Sequence, residues 1–88
     1  MARVCTTCVL IVDDDESMRG LLSRHLTRAG FEALQAVDGI DALAVLRDTL
    51  PKVIISDLQM PRMSGPEFIG VVRQRFPTIP VIALSEPD

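Results

Sequence analysis

Three short, unbroken apolar runs constrain what this chain can fold into: Val9-Leu10-Ile11-Val12, Val53-Ile54-Ile55 and Val81-Ile82-Ala83-Leu84. Each is too short for a buried helix and lacks the alternation of a strand with one wet face. They predict strands covered on both faces. The first runs into Asp13-Asp14-Asp15-Glu16, the second into Ser56 and the single carboxylate of Asp57, and the third into Ser85. A carboxylate at the carboxyl end of a buried strand lies where open α/β sheets place their ligand sites.

The segments between these runs read as helices. Residues 17–28 place Met18, Leu21, Leu22 and Leu26 three or four apart for most of the length, an amphipathic pattern with Gly30 as its stop. Residues 31–36 mix apolar and polar side chains, as an edge strand does. Asp38-Gly39 is a turn with Asp38 a candidate helix cap, and residues 40–49 read as a second helix through Ala42, Leu43 and Leu46, closed by Pro51. Residues 66–76 form a third, burying Phe68, Ile69, Val72 and Phe76 ahead of Pro77. The order β-α-β-α-β-α-β with short connections predicts an α/β fold: a flavodoxin-like, doubly wound parallel sheet with right-handed crossovers. A fourth apolar strand with nothing after it is an open edge, which natural sheets avoid. The expectation is that the natural chain continues past Asp88. Were 88 residues the whole polypeptide, the edge at residues 81–84 would drive dimerisation or swapping.

Length and composition bound the function. Eighty-eight residues allow one domain, and 48% hydrophobic residues argue against disorder. A net charge of −3 without a basic run argues against a direct grip on nucleic acid. No run approaches a membrane span and no signal-peptide h-region opens the chain, so a cytoplasmic protein is expected. Cys5 and Cys8 make one C-x-x-C, but the only histidine is His25, in a helical stretch, and two further zinc ligands are not evident. Two reduced thiols in a leader and strand start are therefore expected.

All carboxyl ends of a parallel sheet share one edge, so Asp13, Asp14, Asp57 and Ser85 can be neighbours. Asp15 and Glu16 read as helix-capping acids, whereas two adjacent acids ending a buried strand exceed what capping needs. Clustered carboxylates repel unless protons or a cation intervene, and a small oxygen-preferring dication such as Mg²⁺ solves that problem. With the metal present, a carboxylate can attack a phosphoryl group. Ser85 could then donate its hydroxyl to a phosphoryl oxygen.

At these residues the chain resembles a receiver domain of a two-component response regulator. Four blocks carry the likeness: residues 9–15 (VLIVDDD), 36–42 (AVDGIDA), 56–65 (SDLQMPRMSG) and 80–85 (PVIALS). The resemblance implies a sheet in the order 2-1-3-4, and a receiver domain over residues 1–88 that is incomplete at its C-terminus. It implies that Asp57 accepts phosphoryl from the phosphohistidine of a sensor histidine kinase or phosphotransfer protein. Asp14 and Asp57 would ligate Mg²⁺ directly, Asp13 largely through a water, and the Gln59 backbone carbonyl would add an oxygen. Ser85 matches the family's switch hydroxyl, and Gly65 would close the loop in a conformation that disfavours a side chain. The domain would be regulatory rather than an enzyme, at most catalysing its own phosphotransfer and slow dephosphorylation, and would act on an output domain or a homodimer partner.

The departures lie at the end: the family's lysine-bearing fifth strand would fall beyond Asp88, and Glu86, followed by Pro87, stands where the family usually places a small residue after the switch position. They motivate an alternative, a receiver-like interaction module that works without phosphorylation. A metal-dependent phosphohydrolase with an aspartyl nucleophile would commonly carry a second acid two residues on, where this chain has Gln59.

Overall fold

The computed structural model describes residues 2–59 and 63–84. In chain order the elements are β1 (Arg3–Val4), β2 (Cys8–Val12), α1 (Glu16–Arg28), β3 (Glu32–Ala36), α2 (Gly39–Asp48), β4 (Thr49–Leu50), β5 (Val53–Asp57), α3 (Gly65–Arg75) and β6 (Val81–Leu84). Every element expected from periodicity is present, displaced by at most a residue at each end. The two-residue strands β1 and β4 carry no periodic signal. They pair in parallel, Arg3 with Thr49 and Val4 with Leu50.

The main sheet is parallel, in the order β3-β2-β5-β6. Counting only the four strands expected from sequence, this is 2-1-3-4. All five residues of β2 are buried, as an unbroken apolar run in a central strand requires. The chain steps one way from β2 to β3 and the other way from β3 to β5 and β6. Right-handed crossovers therefore put α1 on one face and α2 and α3 on the other. The core follows that division: Leu10, Val12, Ala36 and Ile54 of the sheet pack with Ala42 and Leu46 of α2 and Phe68 and Val72 of α3. Burying a side chain the size of Leu or Phe is worth about 1.5–3 kcal/mol, so this two-helix face holds most of the apolar gain.

The α1 face is less complete than the helical periodicity suggests. None of the α1 side chains is fully buried, and Met18 and Leu21 are 39% and 42% exposed. The reason is width. A helix is about 10 Å across and strands lie about 4.8 Å apart, so one helix covers two strands. Ile11, Ile55 and Ile82 form one row of paired residues on this face. Exposure climbs along the row from buried Ile11, through half-buried Ile55, to 52% at Ile82 on the outer strand.

The helix ends obey local chemistry. The Asp15 carboxylate accepts from the amides of Ser17 (2.9 Å) and Met18 (3.4 Å), as capping predicts. Asp38 caps α2 through the Asp41 amide at 2.8 Å, and Ser64 caps α3 through that of Glu67 at 3.2 Å. Helix α1 closes with Gly30 at φ 93°, its amide donating to Thr27 O and that of Phe31 to Leu26 O. That is the paired hydrogen-bond pattern of a glycine-terminated helix.

One expectation is overturned. Cys5 and Cys8 are joined in a disulfide rather than being two reduced thiols. The β1–β4 ladder and the Cys5 amide bond to Leu50 O (2.9 Å) fix the approach to β2. They leave the two Cα atoms 5.4 Å apart, within the reach of a disulfide.

Candidate functional site

The site forms where β2 and β5 end side by side. Val12 pairs with Ser56, so the next residue of each strand, Asp13 and Asp57, emerges on the same edge. The Asp13 amide continues the ladder to Ala36 O (3.1 Å), and its carboxylate turns back to accept from the Asp15 amide at 2.9 Å. Asp13 is buried, Asp57 half-buried and Asp14 exposed. The Asp57 carboxylate accepts from the Gln59 amide at 3.3 Å. One carboxylate oxygen from each of Asp13, Asp14 and Asp57 lies within 4.8 Å of the others.

Electrostatics make this edge a cation site in waiting. The Asp13 carboxyl is pushed above its ordinary value, first by burial; the Asp15 amide works against the shift, and the charges of Asp57, Asp14 and Asp15 add to it. The donor set is oxygen only, hard, partly exposed and clustered, which fits Mg²⁺ rather than a thiophilic ion. The fit rests on carboxylates gathered on rigid strand ends at a spacing that repels without countercharge.

One supporting feature carries no motif in the sequence, and another, Gly65, acts for a reason other than the one expected. Arg19 reaches from the first turns of α1 to donate from Nη1 to the Asp13 backbone carbonyl at 2.6 Å, tying the helix to the strand end beside the acids. Its place on α1, one turn beyond the Asp15 cap, was the available signal. Gly65 is required for a different reason from a left-handed backbone. Its amide donates to Leu58 O at 3.0 Å, and a Cβ here would collide with Leu58 Cα and lie 2.7 Å from Asp57 O. The loop after Asp57 thus returns into contact with the strand it left.

Of the sequence-predicted residues, Asp13, Asp14 and Asp57 come together, and Gln59 meets them through its amide. Leu84 pairs with Asp57, and its carbonyl accepts from the Leu58 amide at 3.3 Å. Ser85, Glu86 and Pro87 lie outside the described residues. No helix among the described residues is long and apolar enough to cross a membrane.

Comparison with known proteins agrees with this geometry. The sequence profile of the response regulator receiver domain matches residues 9–88. Protein PilG of Pseudomonas aeruginosa is 35% identical over 82 residues, a match covering 91% of this chain and 61% of PilG. The structure of the chemotaxis response regulator CheY4 of Vibrio cholerae superposes with a TM-score of 0.87 at 39% identity, over 96% of this chain and 72% of that one. TrrA of Thermotoga maritima, solved in complex with Mg²⁺-BeF, superposes with a TM-score of 0.84 at 31% identity, over 89% of this chain and 68% of TrrA. The chain thus spans about three-fifths of PilG and about seven-tenths of the structures it matches. A parallel sheet in the order β3-β2-β5-β6, three carboxylates on its carboxyl edge and a profile match across nearly the whole chain lead to one assignment: the chain belongs to the response regulator receiver domain family of two-component signalling.

Proposed function

We propose that this chain is a phosphoacceptor that takes a phosphoryl group onto Asp57 from the phosphohistidine of a sensor histidine kinase or phosphotransfer protein. The observation that carries the reading is the convergence of Asp13, Asp14 and Asp57 within 4.8 Å at the ends of two adjacent parallel strands. An Asp57 oxygen attacks phosphorus in line as the P–N bond to the histidine breaks, leaving an acyl phosphate and an imidazole that picks up a proton from solvent. The Gln59 amide holds one carboxylate oxygen and so fixes the rotation of the nucleophile. Gly65 lets the start of α3 sit directly against Leu58, the residue after the acceptor. Asp14 and Asp57 directly, Asp13 largely through water and the Gln59 carbonyl would hold Mg²⁺, which supplies countercharge to the phosphoryl oxygens. Ser85 follows Leu84, the register partner of Asp57, and is the residue assigned the switch hydroxyl. The phosphorylated form signals to an output domain or a partner chain.

The test is incubation of the intact chain with Mg²⁺ and acetyl phosphate, followed by mass spectrometry under mild acid. A hydroxylamine-labile phosphoryl adduct is expected on wild type and absent from Asp57→Asn. Equal adduct on both would refute the assignment.

A further inference from the structure

The C-x-x-C has no part in the acceptor site. It lies at the opposite, amino edge of the sheet, five residues of β2 and so about 16 Å from Asp13. Around it the fold gathers a third group. Cys8 and Glu32 are paired residues on adjacent parallel strands. The Glu32 carboxylate lies with one oxygen 3.5 Å from Cys8 Sγ and 3.9 Å from Cys5 Sγ. Neither sulfur carries a proton in the disulfide, so these are close approaches and not hydrogen bonds. Zn–S and Zn–O bonds at a tetrahedral angle hold sulfur and oxygen about 3.6 Å apart. Glu32 already stands at that distance from both sulfurs. Its backbone is pinned, because its amide donates to Thr7 O at 2.8 Å within the turn between the cysteines.

We propose that Cys5, Cys8 and Glu32 form a redox-gated site for a thiophilic dication of the zinc type, closed by the disulfide and opened by its reduction. A dithiol reductant opens the bond. Its own two thiols become a disulfide, and the two electrons and two protons they give up end on Cys5 and Cys8. Metal binding then displaces those two protons to solvent and leaves two thiolates and one carboxylate on the ion. Thiolates of a C-x-x-C sit about 3.8 Å apart on one tetrahedral ion, and the Cα separation of 5.4 Å accommodates that opening. The fourth position faces an open groove of about 360 Å³, lined also by Arg3, Leu34 and Thr49. Two thiolates, a carboxylate and a dication sum to one negative charge, which Arg3 offsets.

The experiment titrates Zn²⁺ into the intact chain, reduced and oxidised, with excess Mg²⁺ present to occupy the acidic edge. Reduced protein is expected to bind one Zn²⁺ per chain and oxidised protein none at this site. Co²⁺ in place of Zn²⁺ should give near-ultraviolet thiolate-to-metal absorption, and Glu32→Gln should weaken binding by about tenfold or more. Cys8 is buried and its replacement can unfold the edge, so half-buried Cys5→Ser and exposed Glu32→Gln carry the test, with circular dichroism confirming the fold. Zinc binding indifferent to oxidation, a cobalt complex without thiolate absorption, or unchanged affinity in Glu32→Gln would each overturn the proposal.

Discussion

Asp13 shows at the scale of one residue how the site is poised. Its carboxyl is held above the ordinary value of 3.8 by burial and by the neighbouring acids. The folded state therefore favours the protonated form. The stability this gives is fully present below 3.8 and is lost as pH rises through the raised folded value. Metal-free protein should lose stability in urea melts as pH climbs above about 4. Asp13→Asn should flatten that decline and stabilise the metal-free chain at neutral pH by about 1 kcal/mol, the repulsion of two carboxylates about 5 Å apart in a solvent-like dielectric. Asparagine keeps an oxygen for the Asp15 amide, so the turn survives the change. The same variant should bind Mg²⁺ more weakly, seen by isothermal calorimetry.

At the scale of elements, the connections rather than the strands hold the site together. The α3 start packs so tightly against the β5 exit that Gly65→Ala must push the Leu58 backbone aside. A loss of about 1–3 kcal/mol is expected from overpacking, together with slower acyl-phosphate formation, because the displaced backbone carries Asp57. Denaturant midpoints and the acetyl phosphate assay read the two effects separately. Asp38→Ala should cost about 1 kcal/mol through loss of the α2 cap, with phosphorylation little changed, because Asp38 caps the helix after β3 and not the acidic edge. The caps at Asp15 and Asp38 and the stop at Gly30 were legible in the sequence because each acts within a few residues. The Gly65 contact was not legible in that form: the sequence placed a glycine in the loop, but only the fold brings it against Leu58.

On the scale of the whole molecule, a cation bound at the sheet edge would couple the site to folding. Mg²⁺ at one hundred times its dissociation constant should stabilise the chain by about 2.7 kcal/mol, seen as a higher thermal midpoint. Sodium chloride at equal ionic strength should not reproduce the gain, and Asp57→Asn should reduce it. The uneven cover of the two sheet faces belongs to this scale as well. Ile11, Ile55 and Ile82 are the same residue type in the same kind of run, yet only their distance from α1 decides which is buried.

The four strands of the main sheet, the three helices and the identity of the acids were legible in the amino-acid order, since apolar periodicity, caps and turn residues act locally; β1 and β4 were not, being too short to carry a period. The sequence also carried the strand order, through a likeness spread over four blocks. What the tertiary structure decided is which distant groups meet. The fold brought Asp13 and Asp57 to one edge, Glu32 to the two cysteines and Leu58 under Gly65. Pairing between strands fixes the first two meetings and the return of the loop fixes the third, and none can be read from local periodicity. The disulfide belongs with them: C-x-x-C states only a spacing, and the β1–β4 ladder sets the approach that joins the two sulfurs.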